Sequence, residues 1–445
     1  MKTRSGLLLC SLICSTLLTA CDDMPEWMGG AEEKPPLPGT RVSALTDVTQ
    51  IKADASLEQT SVNVPEIQAN TDWAAEGGSN SGLTGNLAWT GFKQQDSVKI
   101  GDGNDWEEHA MVNPVVAGGS VFAVDAKGYV TAHDAARIDT VKWTSNAVVE
   151  TDEPDVLGGG VAFDDGKLFV TSGYGKVAGL DAATGKVLWR STLGTPIRNA
   201  PKAAAGKVYV LSSDNQLLVL DATSGKTLWN HRGITENVGF ATAVSPSVKD
   251  SMVVVPYSSG EIHALDATSG QEVWSDTLIL SRHTTATGGF SGIGGAPVIA
   301  DDNVYAGGSG GFFASITLLS GRRVWEQDIP SLNPAWIAGD FVYLLSESQQ
   351  LFCLYKADGR VKWTTQLPRY ENEPKRKGAY VWYGPVMAGG QLLVAGRHGK
   401  MLALAPKDGS TVGTIDIPDN IINNPVVAGG KLYFITQDAR LHSLY

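Results

Sequence analysis

Leu180-Asp181-Ala182-Ala183-Thr184-Gly185-Lys186-Val187-Leu188-Trp189 returns almost unchanged as Leu220-Asp221-Ala222-Thr223-Ser224-Gly225-Lys226-Thr227-Leu228-Trp229 and again as Leu265-Asp266-Ala267-Thr268-Ser269-Gly270-Gln271-Glu272-Val273-Trp274. Looser copies read Thr317…Gly321…Trp325, Tyr355…Gly359…Trp363 and Ala405…Gly409…Gly413, with an early one at Asp134…Trp143. A second element precedes each copy: a proline, an apolar pair, a turn and a β-rich run, starting at Pro114, Pro201, Pro246, Pro297, Pro334, Pro385 and Pro425. Gly160-Val161 starts an eighth unit without the proline. A repeat of about 37 to 51 residues suits one four-stranded antiparallel sheet. Within it an Asp at a strand end accepts backbone N–H bonds and starts a turn, and Gly supplies the positive φ that closes it. The Trp that follows on the outermost strand is large and flat enough to fill the wedge between neighbouring sheets. Runs such as Lys207-Val-Tyr-Val-Leu211 have the period of a strand. The expected fold is therefore all-β: an eight-bladed β-propeller of four-stranded antiparallel blades, with Trp143, Trp189, Trp229, Trp274, Trp325 and Trp363 as docking residues.

The ends of the chain show how such a ring closes. Lys431-Leu-Tyr-Phe-Ile and Arg440-Leu-His-Ser-Leu-Tyr445 leave the last blade without an outer strand. Asn86-Leu87-Ala88-Trp89-Thr90 carries a Trp in strand-like surroundings and is expected to complete that blade, covering an otherwise open edge. This places the propeller at residues 84–445. Residues 21–83 are rich in Pro, Glu, Ala, Ser and Gly without a sustained period and read as a lipidated N-terminus and mostly flexible tether.

Residues 1–20 read as a signal peptide: Lys2 and Arg4 precede an uncharged apolar run from Gly6 to Leu18, short for a bilayer span. Leu18-Thr19-Ala20-Cys21 resembles the bacterial lipobox, which makes Cys21 the expected site of lipid attachment. Cys10 and Cys14 leave with the signal, so Cys353 has no partner for a disulfide. Removing Lys2 and Arg4 lowers the formal charge by two from −12, to −14. With a pI near 5.1, that balance argues against nucleic acid as a partner.

The repeat, with Ala264-Leu265-Asp266…Gly270…Trp274 as a good copy, resembles the tryptophan-docking motif of quinoprotein propellers. Together with the lipobox and the single ring, the whole chain resembles the BamB family of outer-membrane assembly lipoproteins, down to Pro36-Leu37-Pro38 after the lipid site. The resemblance implies a non-catalytic scaffold without a cofactor, lipid-anchored at the periplasmic face of the outer membrane. The implied partners are the POTRA domains of BamA, other components of the BAM complex, and unfolded outer-membrane protein clients. The family's contact surface comes from the loops entering the fourth and fifth blades. Those positions correspond here to Val238, Phe240 and Ala241, and to Gly292 and Gly294. Ala241 stands where the family carries an arginine, and the two glycines where it carries aspartates. Asp22-Asp23 resembles an inner-membrane retention signal of enteric bacteria.

Loop lengths single out the same region. Only 8 residues separate Trp325 from Pro334, but 22 separate Trp274 from Pro297 and 21 separate Trp363 from Pro385. The first long loop holds Arg282-His283. The second holds Arg369-Tyr370, a basic run to Lys377, and Tyr380-Val381-Trp382-Tyr383, which read either as interface anchors or as core.

Two rival readings share the fold: a pyrroloquinoline-quinone dehydrogenase, and a ligand-binding propeller of the envelope. Such dehydrogenases resemble one another in carrying adjacent cysteines beside the cofactor and a Ca²⁺ site in the central funnel; this sequence has no Cys-Cys pair. The histidines at 109, 133, 231, 263, 283, 398 and 442 lack metal-ligand spacing, so no metal site is expected. Gly289-Phe-Ser-Gly292-Ile-Gly294 precedes a strand, not the helix a phosphate cradle needs, and no residue is nominated as a nucleophile.

Overall fold

The computed structural model describes residues 51–445 apart from 83, 93, 94, 102–112, 150–157, 236–243, 280–291 and 418. Cys21, Asp22, Asp23, Val238, Phe240, Ala241, Arg282 and His283 lie outside the described residues. Eight antiparallel sheets follow one another along the chain as propeller blades. The second shows the pattern: Gly159–Asp164 innermost, then Lys167–Ser172, Lys176–Asp181 and the outer strand Val187–Thr192. Middle strands are packed on both faces by neighbouring blades, so Ser120–Val124 is buried throughout. Outer strands face solvent on one side, and Thr227–Arg232 alternates between exposed and half-buried.

The turns of the three close copies are built as their sequence suggests. Asp181 Oδ1 accepts from Thr184 N at 2.9 Å, Asp221 Oδ1 from Ser224 N at 2.7 Å and Asp266 Oδ1 from Ser269 N at 2.7 Å. The glycine that closes the turn adopts φ +71° at Gly185 and +69° at Gly225. It is also the floor on which the preceding blade's tryptophan lies. A Cβ on Gly225 would stand 2.3 Å from the Trp189 ring, and one on Gly185 2.5 Å from Trp143. The indole N–H then donates to a carbonyl of the same turn: Trp143 to Ala182 at 3.0 Å, Trp189 to Ala222 at 3.0 Å, Trp274 to Leu318 at 2.6 Å, Trp325 to Lys356 at 2.8 Å and Trp363 to Pro406 at 2.9 Å. Trp229 lies over Gly270 in the same way, but its buried Nε1 has no partner.

Closure of the last blade differs from the expectation. The strand that pairs with Arg440–Leu444 is Gln95–Lys99, antiparallel from Gln95 opposite Leu444 to Lys99 opposite Arg440. Asn86–Leu87 instead runs parallel to the innermost strand of the seventh blade, with Leu87 opposite Ala388. Trp89 is therefore not on an outer strand. It lies against Gly389 and lines a groove of about 380 Å³ that runs along the seventh blade to Gly413, the residue standing where other blades carry a docking tryptophan. Trp89 lies outside the repeat and follows the parallel pair at Asn86–Leu87, so its strand-like surroundings point to the wrong strand. Between the eighth and first blades, Lys431 Nζ and Tyr433 OH take the role of the indole, donating to Ala135 O at 3.0 and 3.1 Å.

The stretch before the closing strand also departs from expectation. Residues 51–83 were expected to belong to a tether, yet their described part is held against the propeller. Asp54 N donates to Val361 O at 2.8 Å, and Lys362 Nζ to Leu57 O at 2.6 Å. From Asn70 the chain then visits the innermost strand, or its turn, in all eight blades in ring order. Gly429 N donates to Asn70 O at 2.6 Å in the eighth blade, and Trp73 N to Val116 O at 2.6 Å in the first. Phe163 N donates to Ala74 O in the second, and Lys202 Nζ to Ser79 O at 2.8 Å in the third. Val248 N, Ile299 N and Gly389 N donate to Asn80, Ser81 and Leu87 carbonyls, and Gly85 N to Ile337 O. Innermost strands present unpaired edges to the axis, and this segment satisfies them. Its bonds are mostly backbone bonds, which is why its sequence has no periodic signature.

Candidate functional site

Strand alternation sorts the connections between the two ends of the propeller. The Asp-Gly turns and the turns after the innermost strands share one end. The links between blades share the other, so the described bases of the two links singled out for partner contact start from the same end. The link into the fourth blade leaves the outer strand Thr227–Arg232 and has a firmly held base. Gly233 N donates to Asn215 O at 2.9 Å, Asn215 Nδ2 to Ile234 O at 2.6 Å, and Ile234 N to Glu261 Oε2 at 3.0 Å. Gly233 lies on the Tyr257 ring so closely that a Cβ would stand 2.6 Å away. The Ile234 side chain, by contrast, is 61 % exposed. Ile234 is thus an exposed apolar residue at the root of this link, four residues before Val238, and it was not among the positions singled out from the sequence.

Gly292 and Gly294 give a different result. Gly292–Ile293 forms a short strand against Ser309 and Gly308 in the fifth blade. A Cβ on Gly292 would stand 2.6 Å from Ser258 O, and one on Gly294 would stand 2.7 Å from Leu332 Cα. Neither position has room for a carboxylate side chain. The absence of the family's aspartates is built into the packing here.

The link into the seventh blade folds as a hairpin, Tyr370–Asn372 against Lys377–Ala379. Glu373 Oε1 accepts from Arg369 N at 2.9 Å, Asn372 Oδ1 accepts from Lys375 N at 3.1 Å, and residues 371–379 are all exposed. Lys375, Arg376 and Lys377 thus form a basic projection on an acidic chain. Trp382 belongs to the core instead. It is 1 % exposed, donates to Pro368 O at 2.8 Å and meets His398 edge to face at 4.5 Å. Tyr380 stacks on the same imidazole at 3.5 Å. Burial beside Lys400 brings the His398 pKa down to about 4, so the ring is neutral at physiological pH.

The cavity left beside Trp73, Gly77, Gly82 and Trp336 measures about 30 Å³, near the space of one water molecule. Close in sequence to Gly77, Glu76 is half-buried and meets the buried Lys202. Lys202 donates to the Glu76 and Ser79 carbonyls, and the Glu76 carboxylate accepts from Ser245 Oγ. Burial pushes the Glu76 carboxyl up and the Lys202 ammonium down to about 8.

Residues 126–365, more than half of the chain, match the family described as outer membrane protein assembly factor BamB. The chain belongs to the BamB family. The BamB protein of Yersinia pestis is 26 % identical over 345 residues, covering 76 % of this chain and 84 % of that protein. The Escherichia coli BamB protein is 26 % identical over 366 residues, covering 81 % and 89 %. Among solved structures, BamB from Moraxella catarrhalis superposes with a TM-score of 0.68 at 20 % identity, over 80 % of this chain and all of that one. The quinohemoprotein alcohol dehydrogenase of Comamonas testosteroni reaches 0.63 at 13 % identity, over 84 % and 80 %. These two superpositions report a shared propeller fold.

Proposed function

We propose that this chain is a non-catalytic scaffold for the assembly of β-barrel proteins in the outer membrane. It is anchored there by lipid at Cys21 on the periplasmic side, and docks on the POTRA domains of a BamA partner. Membership of the BamB family carries this reading, and the relatives' own name, outer membrane protein assembly factor, supplies the process. The docking face is the end that carries the links between blades. Val238 and Phe240, four and six residues after exposed Ile234 in sequence, supply its apolar part, and the basic hairpin 370–379 is available to acidic partner surface. Neither Gly292 nor Gly294 contributes a side chain, so the contact depends more on apolar burial than the family's charged version does. A non-catalytic role follows from the family's assembly-factor name, and the sequence has no adjacent cysteines of the kind the quinoprotein dehydrogenases carry.

A photo-crosslinking amino acid placed at 238 or 240 in cells tests this directly. Crosslinks to BamA from these positions, and none from Ser224 on the opposite end, are the expected result. Crosslinks only from Ser224 would put the docking face on the wrong end of the propeller.

A further inference from the structure

Two histidines that lie far apart in sequence meet between the third and fourth blades. His231 sits on the outer strand Thr227–Arg232, and His263 on Glu261–Asp266 of the next blade. Glu272, on Glu272–Thr277, completes the group. One ligand atom from each of the three lies within 4.8 Å of the other two. His263 Nδ1 is 2.8 Å from Glu272 Oε2, and His231 Nε2 is 3.8 Å from that same oxygen. Ligand atoms around a tetrahedral zinc with bonds near 2.1 Å stand about 3.4 Å apart, so small side-chain movements bring all three into range.

The geometry points to a site for a zinc-class divalent transition metal, held by His231 Nε2, His263 Nδ1 and Glu272 Oε2 with water in the remaining position. Two imidazoles with a carboxylate suit zinc or its neighbours and do not suit calcium or magnesium. The surroundings supply what such ligands need behind them. With Nε2 on the metal, the Nδ1–H of His231 donates to Tyr257 OH, 2.7 Å away. With Nδ1 on the metal, the Nε2–H of His263 faces Glu261 Oε1 at 3.8 Å. That nitrogen is otherwise a buried atom without a hydrogen-bond partner, in a residue only 8 % exposed. A metal fixes its proton and gives the neighbouring carboxylate a role. The second oxygen of Glu272 accepts from Ser275 Oγ at 3.1 Å. Backing of each ligand by a polar group of this kind is what orients histidines and carboxylates in metal sites. Two carboxylates, Glu272 and Glu261, beside two imidazoles also balance the charge of a dication.

The site would fasten two blades at the base of the link into the fourth blade, because Glu261 also holds Ile234 N. The test uses the untagged full chain, stripped with chelator and titrated with Co²⁺. One Co²⁺ per chain, giving the intense visible bands of a four-coordinate ion and displaced by one Zn²⁺, is the expected result. Tyr257→Phe should weaken binding roughly 10–100-fold by removing the support of His231 while leaving the site in place. His263→Gln and Glu272→Gln should each abolish the visible bands. Glu272 lies near the surface, so its variant reports on the site even if His263→Gln does not fold. Absence of saturable Co²⁺ binding, or binding unchanged in Glu272→Gln, would overturn the proposal.

Discussion

Replacing Trp189 and Trp229 separately with Phe tests whether the seams between blades rest on indole hydrogen bonds as well as on ring burial. Both rings lie on the glycine of the next blade's turn, Gly225 and Gly270, so the trimmed apolar area is similar and largely cancels in a comparison. The polar atoms differ. Trp189 Nε1 donates to Ala222 O at 3.0 Å, and its loss costs about 1 kcal/mol net, with the carbonyl left unpaired. Trp229 Nε1 is buried without a partner, and removing it returns about 1 kcal/mol of desolvation. The difference is about 2 kcal/mol, a factor of roughly 30 in the unfolding constant. Urea denaturation followed by circular dichroism, fitted with a common slope, measures it. Trp189→Phe should unfold at clearly lower urea than Trp229→Phe. Equal midpoints, or the reverse order, would refute the hydrogen-bond half of the account.

Deleting Gln95–Lys99 should expose the edge of Arg440–Leu444 and yield aggregates in sedimentation velocity, whereas Trp89→Ala should stay monomeric. Lys202→Met should cost about 3 kcal/mol in thermal denaturation, because it removes the positive charge held beside the half-buried Glu76 carboxylate; adding Glu76→Gln should restore part of that loss. His442 is 1 % exposed, and burial, reinforced by Arg440 and opposed by Asp419, lowers its pKa to about 4. Because the unfolded chain binds this proton more tightly, the stability His442 contributes is intact above pH ~6.5 and is lost as pH falls toward 4. Between pH 7 and 5 that amounts to about 2 kcal/mol, and a His442→Gln variant should show a correspondingly flatter pH profile of unfolding.

What was legible in the sequence follows from which interactions use side chains in register. The docking turns repeat because an Asp, a Gly and a Trp must each occupy one place per blade, and the fold could be read from them. The axial segment satisfies strand edges mainly through its backbone, so Ser79, Asn80 and Ser81 looked like linker. The closing strand Gln-Asp-Ser-Val-Lys at 95–99 is polar and carries no tryptophan, while Trp89 imitated one. Gly292 and Gly294 were compared with family aspartates by position alone, and only packing against Ser258 and Leu332 shows why no larger residue stands there. His231 and His263 were dismissed for lack of local spacing, since their proximity depends on the step from one blade to the next.

The central claim, that the face carrying the links between blades docks on a BamA partner, is tested most directly by calorimetry. The soluble chain from residue 22 would be titrated with the periplasmic POTRA segment from the same bacterium. Saturable binding that is lost in Val238→Glu and Phe240→Glu, but kept in Ser224→Glu on the opposite end, is the result expected. No heat at high micromolar concentration, or binding indifferent to all three changes, would contradict it.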